Sequence, residues 1–421
     1  MNNLKLRYRN FLAYSFLAIA LVLPSCQPSS GLTGKNISPL YRSEVQNDVL
    51  EVDYKVAHKQ GQKSDLRFNL NLNSLGESEG TRGFSLRYRL YQNYSSSIPI
   101  DSGFQVFKDI IGSESYENRT EISIPNGRNH MLEVDLIDLY SKKRTRSYLD
   151  IINPSQFSEQ SYSLVNNDGE LISHSHVLQA DSYSIETAES VNHLFVRFYD
   201  RNFPVASPPF SAVNNNPFDF TPDKLTELSR DLDGKYTLYV AQSGIYQLAS
   251  DTNSRNGGSV FYFGEHYPKA RTINDLLLPL RYVTTTPEFQ SLKKGENLKK
   301  GIDNYWLKVG GSPERAKMLI ETYYTRVERA NTLFASYLEG WKTDRGMCLI
   351  VFGEPNKVVR STASETWLYG EEGKYNTLKL TFTKVQNPFT TNDFRLNRNA
   401  SLKSPWYRAV EFWRQGRIIT Y

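Results

Sequence analysis

Alternating apolar and polar residues dominate the first two thirds of the chain. Apolar side chains recur at every second position in short segments such as residues 66–72 and 84–90. This period predicts half-buried strands, and the glycine and proline turns between them indicate an antiparallel sandwich. Segments of the same kind, such as residues 194–198, continue further along the chain. The pattern therefore predicts two β-sandwich-like domains, at residues 48–152 and 153–270.

A helical period replaces this alternation after residue 271. Leu298, Ile302 and Val309 follow helical spacing until Gly310, and Ser312-Pro313 then provides a capping residue and a proline at a helix start. The second helix carries an apolar seam with a period of 3.5 residues, and we expect it to end at a Gly340 cap. The seam residues are Ala316, Ile320, Tyr323, Val327, Ala330, Phe334 and Tyr337. Two such helices joined by a short turn predict an antiparallel helical hairpin.

Strand patterns return after the hairpin. Residues 347–352 are apolar on both faces, which predicts a central buried strand. Residues 365–369 and 377–383 predict two further strands, and residues 404–416 predict a short helix. The sequence thus predicts a C-terminal α+β domain at residues 271–421, in which the hairpin packs on a small antiparallel sheet.

The segment between the second helix and this strand carries the most specific motif of the chain. It comprises seven consecutive residues, Gly340-Trp341-Lys342-Thr343-Asp344-Arg345-Gly346. With the flanking Tyr323-Tyr324 and Gly353-Glu354-Pro355, it resembles the GWxTD domain of Bacteroidetes proteins, and the resemblance covers residues 271–419. The resemblance implies no catalytic residues, because the family brings none that are settled.

In physical terms, we interpret the motif as a corner between a helix and a strand. Gly340 is able to adopt a positive φ, and Trp341 is able to bury its ring beside the seam. Thr343 or Asp344 is expected to accept backbone N–H bonds that close the turn before Gly346. In this interpretation the motif residues build the fold.

An alternative hypothesis gives the motif a catalytic role. Asp344 would act as an acid or base with Glu354 nearby, as paired carboxylates do in hydrolases. No histidine follows His266, so a conventional serine triad within this domain is excluded.

The first 26 residues have the layout of a secretory signal. Three basic residues precede an apolar run at residues 11–23, which is shorter than the roughly 20 residues that cross a bilayer core. Leu23-Pro24-Ser25-Cys26 resembles a bacterial lipobox, which implies that residues 1–25 are removed and that Cys26 is lipidated. The alternative is a plain secreted protein that is cleaved near the same place.

The residues after Cys26 predict how the protein is held. Residues 26–47 are rich in Ser, Pro and Gly, which is typical of a flexible tether. Residues 27–39 lack the acidic residues that tend to follow the lipidated cysteine in surface lipoproteins of the Bacteroidetes. By that resemblance we expect an outer-membrane lipoprotein on the periplasmic face, attached to the membrane through lipid on Cys26.

Composition narrows the function classes further. The 421 residues include 50 Lys and Arg against 45 Asp and Glu, and removal of the three basic leader residues leaves 47 against 45. No global basic field would attract nucleic acid.

If Cys26 is lipidated, Cys348 is the remaining thiol of the exported chain, and its apolar surroundings favour core packing over nucleophilic chemistry. Residues 76–80 match G-x-S-x-G by chance, since strands flank them on both sides.

Two polar clusters have both a structural and a functional interpretation. His174 and His176 share one face of an extended segment and would ligate zinc or copper if His193 or Asp181 came near; otherwise they are solvated loop histidines. Residues 142–146 form a charged hairpin tip or a contact for anionic lipid headgroups. No metal site and no cofactor is expected.

These observations favour a protein that binds or assembles. We expect the β-domains to act as spacers or binding modules and the C-terminal domain to contact a protein partner in the cell envelope, without catalysis. The first alternative is a cell-envelope hydrolase that uses Asp344 and Glu354. The second is a glycan-binding accessory protein, which would require exposed aromatic side chains aligned on one sandwich face.

Overall fold

The computed structural model describes residues 33–42, 50–59, 61–72, 82–110, 115–212, 218–374 and 377–419. All of the following concerns the compact unit Gly34–Tyr421. The predicted leader, Cys26 and the G-x-S-x-G match lie outside the described residues. Within those residues, every helix is too short or too polar to span a bilayer.

The first sandwich is built from seven strands. A three-stranded sheet has the order β2-β3-β6 and a four-stranded sheet has the order β5-β4-β7-β8, with antiparallel pairing throughout. Apolar residues from both sheets, such as Phe68, Leu86 and Val134, form one continuous core. The strands are β2 (Val52–His58), β3 (Lys63–Asn71), β4 (Arg82–Tyr91), β5 (Asp101–Ile110), β6 (Ser115–Ser123), β7 (His130–Asp138) and β8 (Arg144–Ile151), after a short β1 (Lys35–Asn36) described below. The predicted β-sandwich is confirmed, and residues 142–146 form the turn and start of the β7–β8 hairpin.

The second sandwich also contains two sheets around a core of its own. One has the order β10-β9-β12-β15, and the other has the order β11-β17-β16-β13-β14. The pairing is antiparallel except between β11 and β17, which run parallel. The strands are β9 (Tyr162–Val165), β10 (Leu171–Ile172), β11 (His176–Val177), β12 (Ser182–Thr187), β13 (Leu194–Tyr199), β14 (Lys224–Leu228), β15 (Tyr236–Tyr239), β16 (Gly244–Ala249) and β17 (Gly258–Tyr262).

Six α-helices follow in the C-terminal part. They are α1 (Ile273–Leu277), α2 (Thr286–Lys294), α3 (Leu298–Gly310), α4 (Pro313–Phe334), α5 (Asp344–Phe352) and α6 (Lys403–Arg414). The predicted hairpin is confirmed in α3 and α4, since Gly311 at the turn has a φ of 73° and Trp306 packs against Tyr323. The prediction placed the helix end at Gly340, whereas α4 ends at Phe334. Tyr337 therefore lies beyond the helical seam.

The prediction of a buried strand at residues 347–352 was wrong, because these residues belong to α5. Thr343 is the N-cap of α5, and its side-chain oxygen accepts the N–H of Gly346. Every residue from Arg345 to Phe352 is buried. A helix that is buried on all sides shows no amphipathic period, so its apolar run is easily mistaken for a central strand.

The C-terminal sheet has the order β1-β18-β19-β20-β21 and is antiparallel. Its last four strands are β18 (Lys357–Arg360), β19 (Ser364–Tyr369), β20 (Leu378–Lys384) and β21 (Phe394–Leu396). The edge strand β1 comes from the segment that was predicted to be a flexible tether. The 3₁₀ turn Ser38–Tyr41 follows it and buries Tyr41 in the C-terminal core. The tether prediction is therefore wrong for residues 35–41.

Candidate functional site

The two outer glycines of the motif allow close backbone contacts. A Cβ atom on Gly340 would lie 1.9 Å from the carbonyl oxygen of Ala330 in α4, and one on Gly346 would lie 2.0 Å from the oxygen of Gly340. Gly340 lies in a 3₁₀ turn and does not have a positive φ, so the predicted reason for this glycine was wrong. The glycine is required because no side chain fits against the helix.

Trp341, in the middle of the motif, is hydrogen-bonded to α4 and to the segment that precedes α4. The backbone N–H of Trp341 donates to Asn331 Oδ1 at 3.0 Å, and its carbonyl oxygen accepts from the Tyr282 hydroxyl at 3.0 Å. The indole ring of Trp341 is buried in the main core. The Thr343 hydroxyl donates to the carbonyl oxygen of Gly340 at 2.7 Å, in addition to capping α5. These contacts agree with the interpretation of the motif as a packed corner.

Asp344 is held by main-chain and arginine donors. Its Oδ2 accepts the N–H of Leu396 in β21 at 2.8 Å, and Arg398 donates to both carboxylate oxygens at 2.8 and 2.6 Å. Nη2 of Arg398 also donates to the carbonyl oxygen of Ser207 at 3.1 Å, which links this corner to the second sandwich segment. Two-pronged arginine–carboxylate pairs are among the stronger and more directional hydrogen-bonded contacts in proteins. The Asp344 side chain is 9 % exposed.

Glu354 is not brought beside Asp344. The two residues flank opposite ends of α5, whose nine residues span about 13 Å at 1.5 Å per residue. Glu354 instead accepts a bond from Arg329 of α4 at 2.7 Å. Each carboxylate thus has its own arginine, and no shared site forms between them.

Arg345, the sixth residue of the motif, contacts a buried ionic cluster. Its guanidinium lies 4.3 Å from the Phe394 ring centre and bonds the main chain of Asn392 at 2.8 Å. It also lies 3.5 Å from Glu365 of β19, and both side chains are almost completely buried. The motif therefore contacts a charge in the middle of the C-terminal sheet.

Glu365 is the centre of this cluster. Arg360 donates two bonds to its Oε2 at 2.8 and 2.6 Å, the Trp367 indole donates to its Oε1 at 2.7 Å, and the Tyr41 hydroxyl also donates to Oε1. Burial alone would raise the pKa of this carboxyl. The guanidinium groups of Arg360 and Arg345, with the hydroxyl and indole bonds, outweigh burial and hold the pKa at about 2.

A cavity of about 270 Å³ lies beside this cluster. Strands β2 and β8 of the first sandwich, β9 and β17 of the second, and the segment before β21 all line it. Asn392 lines the cavity and accepts a bond from Arg345 of the motif, and Arg360 lines it and pairs with Glu365. Asp150, another lining residue, is bound to Lys384 at 2.5 Å and to the Tyr94 hydroxyl at 2.8 Å. The polar centre of the molecule is thus a junction of three domains.

Cys348 lies in the core, as its apolar surroundings indicated. It is completely buried in α5, and burial raises the pKa of its thiol well above the ordinary value. The neighbouring Asp344 acts in the same direction. A protonated thiol without solvent contact is a poor nucleophile.

Neither of the predicted third ligands, His193 and Asp181, joins the histidine pair. The rings of His174 and His176 are 5.4 Å apart, and His174 faces Asp53 at 3.5 Å. His193 pairs with Glu227 and Asp181 with Asn167, away from the pair. Burial lowers the pKa of His176 to about 4. Among the described residues, no three His, Cys, Asp or Glu side chains are placed to hold a metal ion.

The charged hairpin tip makes internal ion pairs. Arg144 and Arg146 both contact Asp135 on the adjacent strand β7, and Arg146 also lies 3.9 Å from Glu133. Arg144 and Arg146 are therefore already neutralised within the sandwich face.

Sequence reasoning missed the buried cluster. Tyr41 and Glu365 are 324 residues apart, so no local pattern connects them. Two signals were nevertheless present: Thr343-Asp344 is a typical helix start, and Tyr41 is an aromatic residue inside a segment otherwise suited to a tether. The first would have identified α5, and the second would have placed residues 35–41 in a core.

Fold and motif together define a β-rich multi-domain protein with a C-terminal α+β domain built around this corner. Residues 244–415 match the model of the GWxTD domain, so the chain carries a GWxTD domain. The matched region begins with β16 in the second sandwich, earlier than residue 271, where the sequence pattern placed the boundary.

Other comparisons add no functional information. No curated protein matches the chain in sequence. Among solved structures, the chain is similar to "Crystal structure of CBD12 from CALX1.2", at 8% identity over 47% of this chain and 78% of that chain, with a TM-score of 0.17. It is also similar to "Biofilm associated protein - BSP domain", at 7% identity over 50% of each chain, with a TM-score of 0.16. Neither likeness supports an argument about fold or function.

Proposed function

We propose that this protein is a lipid-anchored, periplasm-facing binding or assembly protein of the cell envelope, and that it acts without catalysis. The proposed anchor is lipid on Cys26 in the outer membrane, which the lipobox-like sequence supports. The proposed partner is a protein, and nucleic acid is not expected as a ligand because the chain lacks a basic excess.

The observation that carries the non-catalytic role is the environment of Asp344. Both of its oxygens accept bonds from Arg398, and one also accepts a main-chain N–H. A general acid or base must exchange a proton with a substrate at hydrogen-bond distance. Asp344 instead joins α5 to β21, which is what a structural corner requires.

The two alternatives lack comparable support. A hydrolase based on Asp344 and Glu354 would need both carboxylates at one substrate, and they lie at opposite ends of α5. A glycan-binding face would need a row of exposed aromatic rings. Among the described residues, the exposed aromatic rings lie on four separate parts of the fold: Phe104 on β5, Tyr140 in the β7–β8 turn, Tyr239 on β15 and Tyr407 on α6.

Strand β5 provides a surface that fits a binding role. It is ten residues long, pairs with β4 alone, and is therefore an edge strand. Phe104 and Val106 are 57 % and 43 % exposed and share one face, since they are two positions apart. Edge strands are normally short, charged or covered, because their free backbone groups pair with other chains. We propose that an extended segment of a partner protein adds a strand here.

Cross-linking in the native envelope tests this role. A photo-reactive phenylalanine analogue is placed at Phe104 and, as a matched control, at Tyr239, an exposed position on edge strand β15 of the second sandwich. We expect one discrete adduct from position 104, absent at position 239 and lost in Val106→Lys. Equal adducts from both positions, or an adduct that survives Val106→Lys, would contradict the proposed surface.

Metabolic labelling tests the anchor. Radiolabelled palmitate should enter the wild type but not Cys26→Ala, whereas equal labelling of both would dismiss lipidation. Protease added to intact cells should leave a periplasm-facing protein uncut. Rapid cleavage would reverse the orientation and place the protein on the cell surface.

A further inference from the structure

Charged side chains from several elements line or adjoin the cavity. Four cations and four carboxylates are linked by these contacts, so what matters is how each cation is compensated. The cations are Lys55, Arg345, Arg360 and Lys384, and the carboxylates are Asp53, Asp150, Glu159 and Glu365. A cation without an ionic partner in a partly buried site is costly, so such a site favours an anion from outside.

Lys55 is the cation without a carboxylate of its own. Its ammonium donates to the main-chain oxygen of Glu159 at 3.0 Å and lies 5.3 Å from the Tyr162 ring centre. The Glu159 carboxylate instead accepts the Thr391 hydroxyl at 2.8 Å. Within the described part of the chain, Lys55 makes no salt bridge. Burial lowers the pKa of Lys55, while the nearby charge of Glu159 acts in the opposite direction.

Ser259 is a second donor at the same place. It is 1 % exposed, lines the cavity, and its hydroxyl has no hydrogen-bond partner among the described residues. The preceding Gly258 packs directly against the backbone of Glu159, the residue that Lys55 contacts. A buried hydroxyl without a partner is destabilising. Lys55 and Ser259 thus contribute an ammonium and an unpaired hydroxyl to the lining of one cavity.

We propose that this cavity binds a small monoanionic carboxylate, with Lys55 as its counter-charge and Ser259 as a hydrogen-bond donor. One negative charge matches the single ammonium of Lys55, whereas a dianion would exceed it. At about 30 Å³ per water-sized group, the cavity holds a ligand of roughly ten non-hydrogen atoms at most. The half-exposed His174 lies at its solvent side. Because the lining comes from all three domains, bound ligand holds them together.

The site is independent of the proposed function, since carboxylate binding and partner binding are measured separately. Calorimetric titration of the purified full chain uses sodium acetate and N-acetylglycine, with N-acetylglycinamide as a neutral probe of the same size, at constant ionic strength. We expect both carboxylates to bind saturably and the amide not to bind. Lys55→Met should weaken binding by at least about tenfold, the value of a charged hydrogen bond. Lys63→Met, which removes an exposed lysine of the same sandwich, should leave it unchanged.

Ser259→Ala provides a second variant that conserves the fold. It should melt no lower than the wild type and bind N-acetylglycine several-fold more weakly, and this variant decides the test if Lys55→Met does not fold. Equal binding of the neutral amide, unchanged affinity in either cavity variant, or no binding of either carboxylate at tens of millimolar would overturn the proposal. Sodium sulfate that binds more tightly than both carboxylates would overturn its monoanion selectivity.

Discussion

Gly340→Ala tests most directly whether the motif is a packed structural corner. The new methyl group would lie 1.9 Å from the Ala330 oxygen, and ordinary contacts begin at 3.4 Å, so the corner and α4 must separate by about 1.5 Å. That movement strains two neighbouring bonds, from Trp341 N–H to Asn331 and from Gly340 N–H to the Tyr267 hydroxyl. Overpacking costs about 1–3 kcal/mol and each neutral hydrogen bond about 1 kcal/mol. The expected loss is about 3–5 kcal/mol.

Urea unfolding followed by tryptophan fluorescence measures this loss. All five tryptophans of the chain are at positions 306, 341, 367, 406 and 413, so the signal reports on the C-terminal domain. With an m value near 3 kcal/mol/M, the midpoint should fall by about 1 M or more. A domain of ordinary stability would then be close to unfolding without denaturant.

Gly301→Ala is the matched control. Gly301 lies inside α3, and its nearest neighbour to an added Cβ is a Leu292 methyl at 3.5 Å. Alanine is the better helix former there, so the midpoint should stay equal or rise by the equivalent of about 0.5–1 kcal/mol. A Gly340→Ala protein that unfolds at the wild-type midpoint would refute the close-approach explanation, and so would an equal loss in both variants.

Three further predictions use the same assay. Asp344→Asn should lower the free energy of unfolding by about 1.5–3 kcal/mol, because it weakens the pair with Arg398. Glu354→Ala should lower it by less than about 1 kcal/mol, because the pair of Glu354 with Arg329 is partly exposed. The reverse order would contradict the structural role of Asp344. The pKa of Glu365 falls from its usual 4.5 to about 2 on folding, so its contribution is complete above pH 4.5 and is lost as the pH falls towards 2. Glu365→Gln should therefore be much less stable than wild type at pH 6 and closer to it at pH 3, and a difference independent of pH would count against the ionised cluster. Val327→Asp should unfold the C-terminal domain by several kcal/mol, since Val327 is 1 % exposed in α4; normal stability would contradict its core position.

Sequence patterns identified the helices and strands that have one apolar, buried face and one polar, exposed face. The half-buried strands of both sandwiches and the α3–α4 hairpin were predicted because their apolar side chains recur with a clear period. The same argument failed for α5, where residues 347–352 are buried on every side and carry no period. The tether prediction failed for a different reason. It rested on average composition, whereas the position of Tyr41 depends on a specific contact with Glu365.

The candidate site was predictable in part. The motif pointed to the corner, and Thr343 closes its turn by accepting the N–H of Gly346, as predicted. Asp344 instead accepts an N–H from Leu396, 52 residues away in β21. The ionic cluster and the cavity were not predictable, because their members come from strands that are distant in sequence. Lys55, Ser259 and Arg360 have ordinary neighbours along the chain, and only the fold places them together.

Strand β1 makes the C-terminal domain discontinuous. Lys35 pairs with Arg360, and Tyr41 donates to Glu365. The first described residues therefore contact residues that follow more than 300 positions later in the chain. Closing so long a loop costs only logarithmically more entropy than closing a short one, but contacts of this separation form late. During synthesis, the domain cannot complete this edge of its sheet until residues 35–36 and 359–360 are both available to pair. Any fragment that starts after Tyr41 would lack that edge strand and one of the donors to its buried carboxylate.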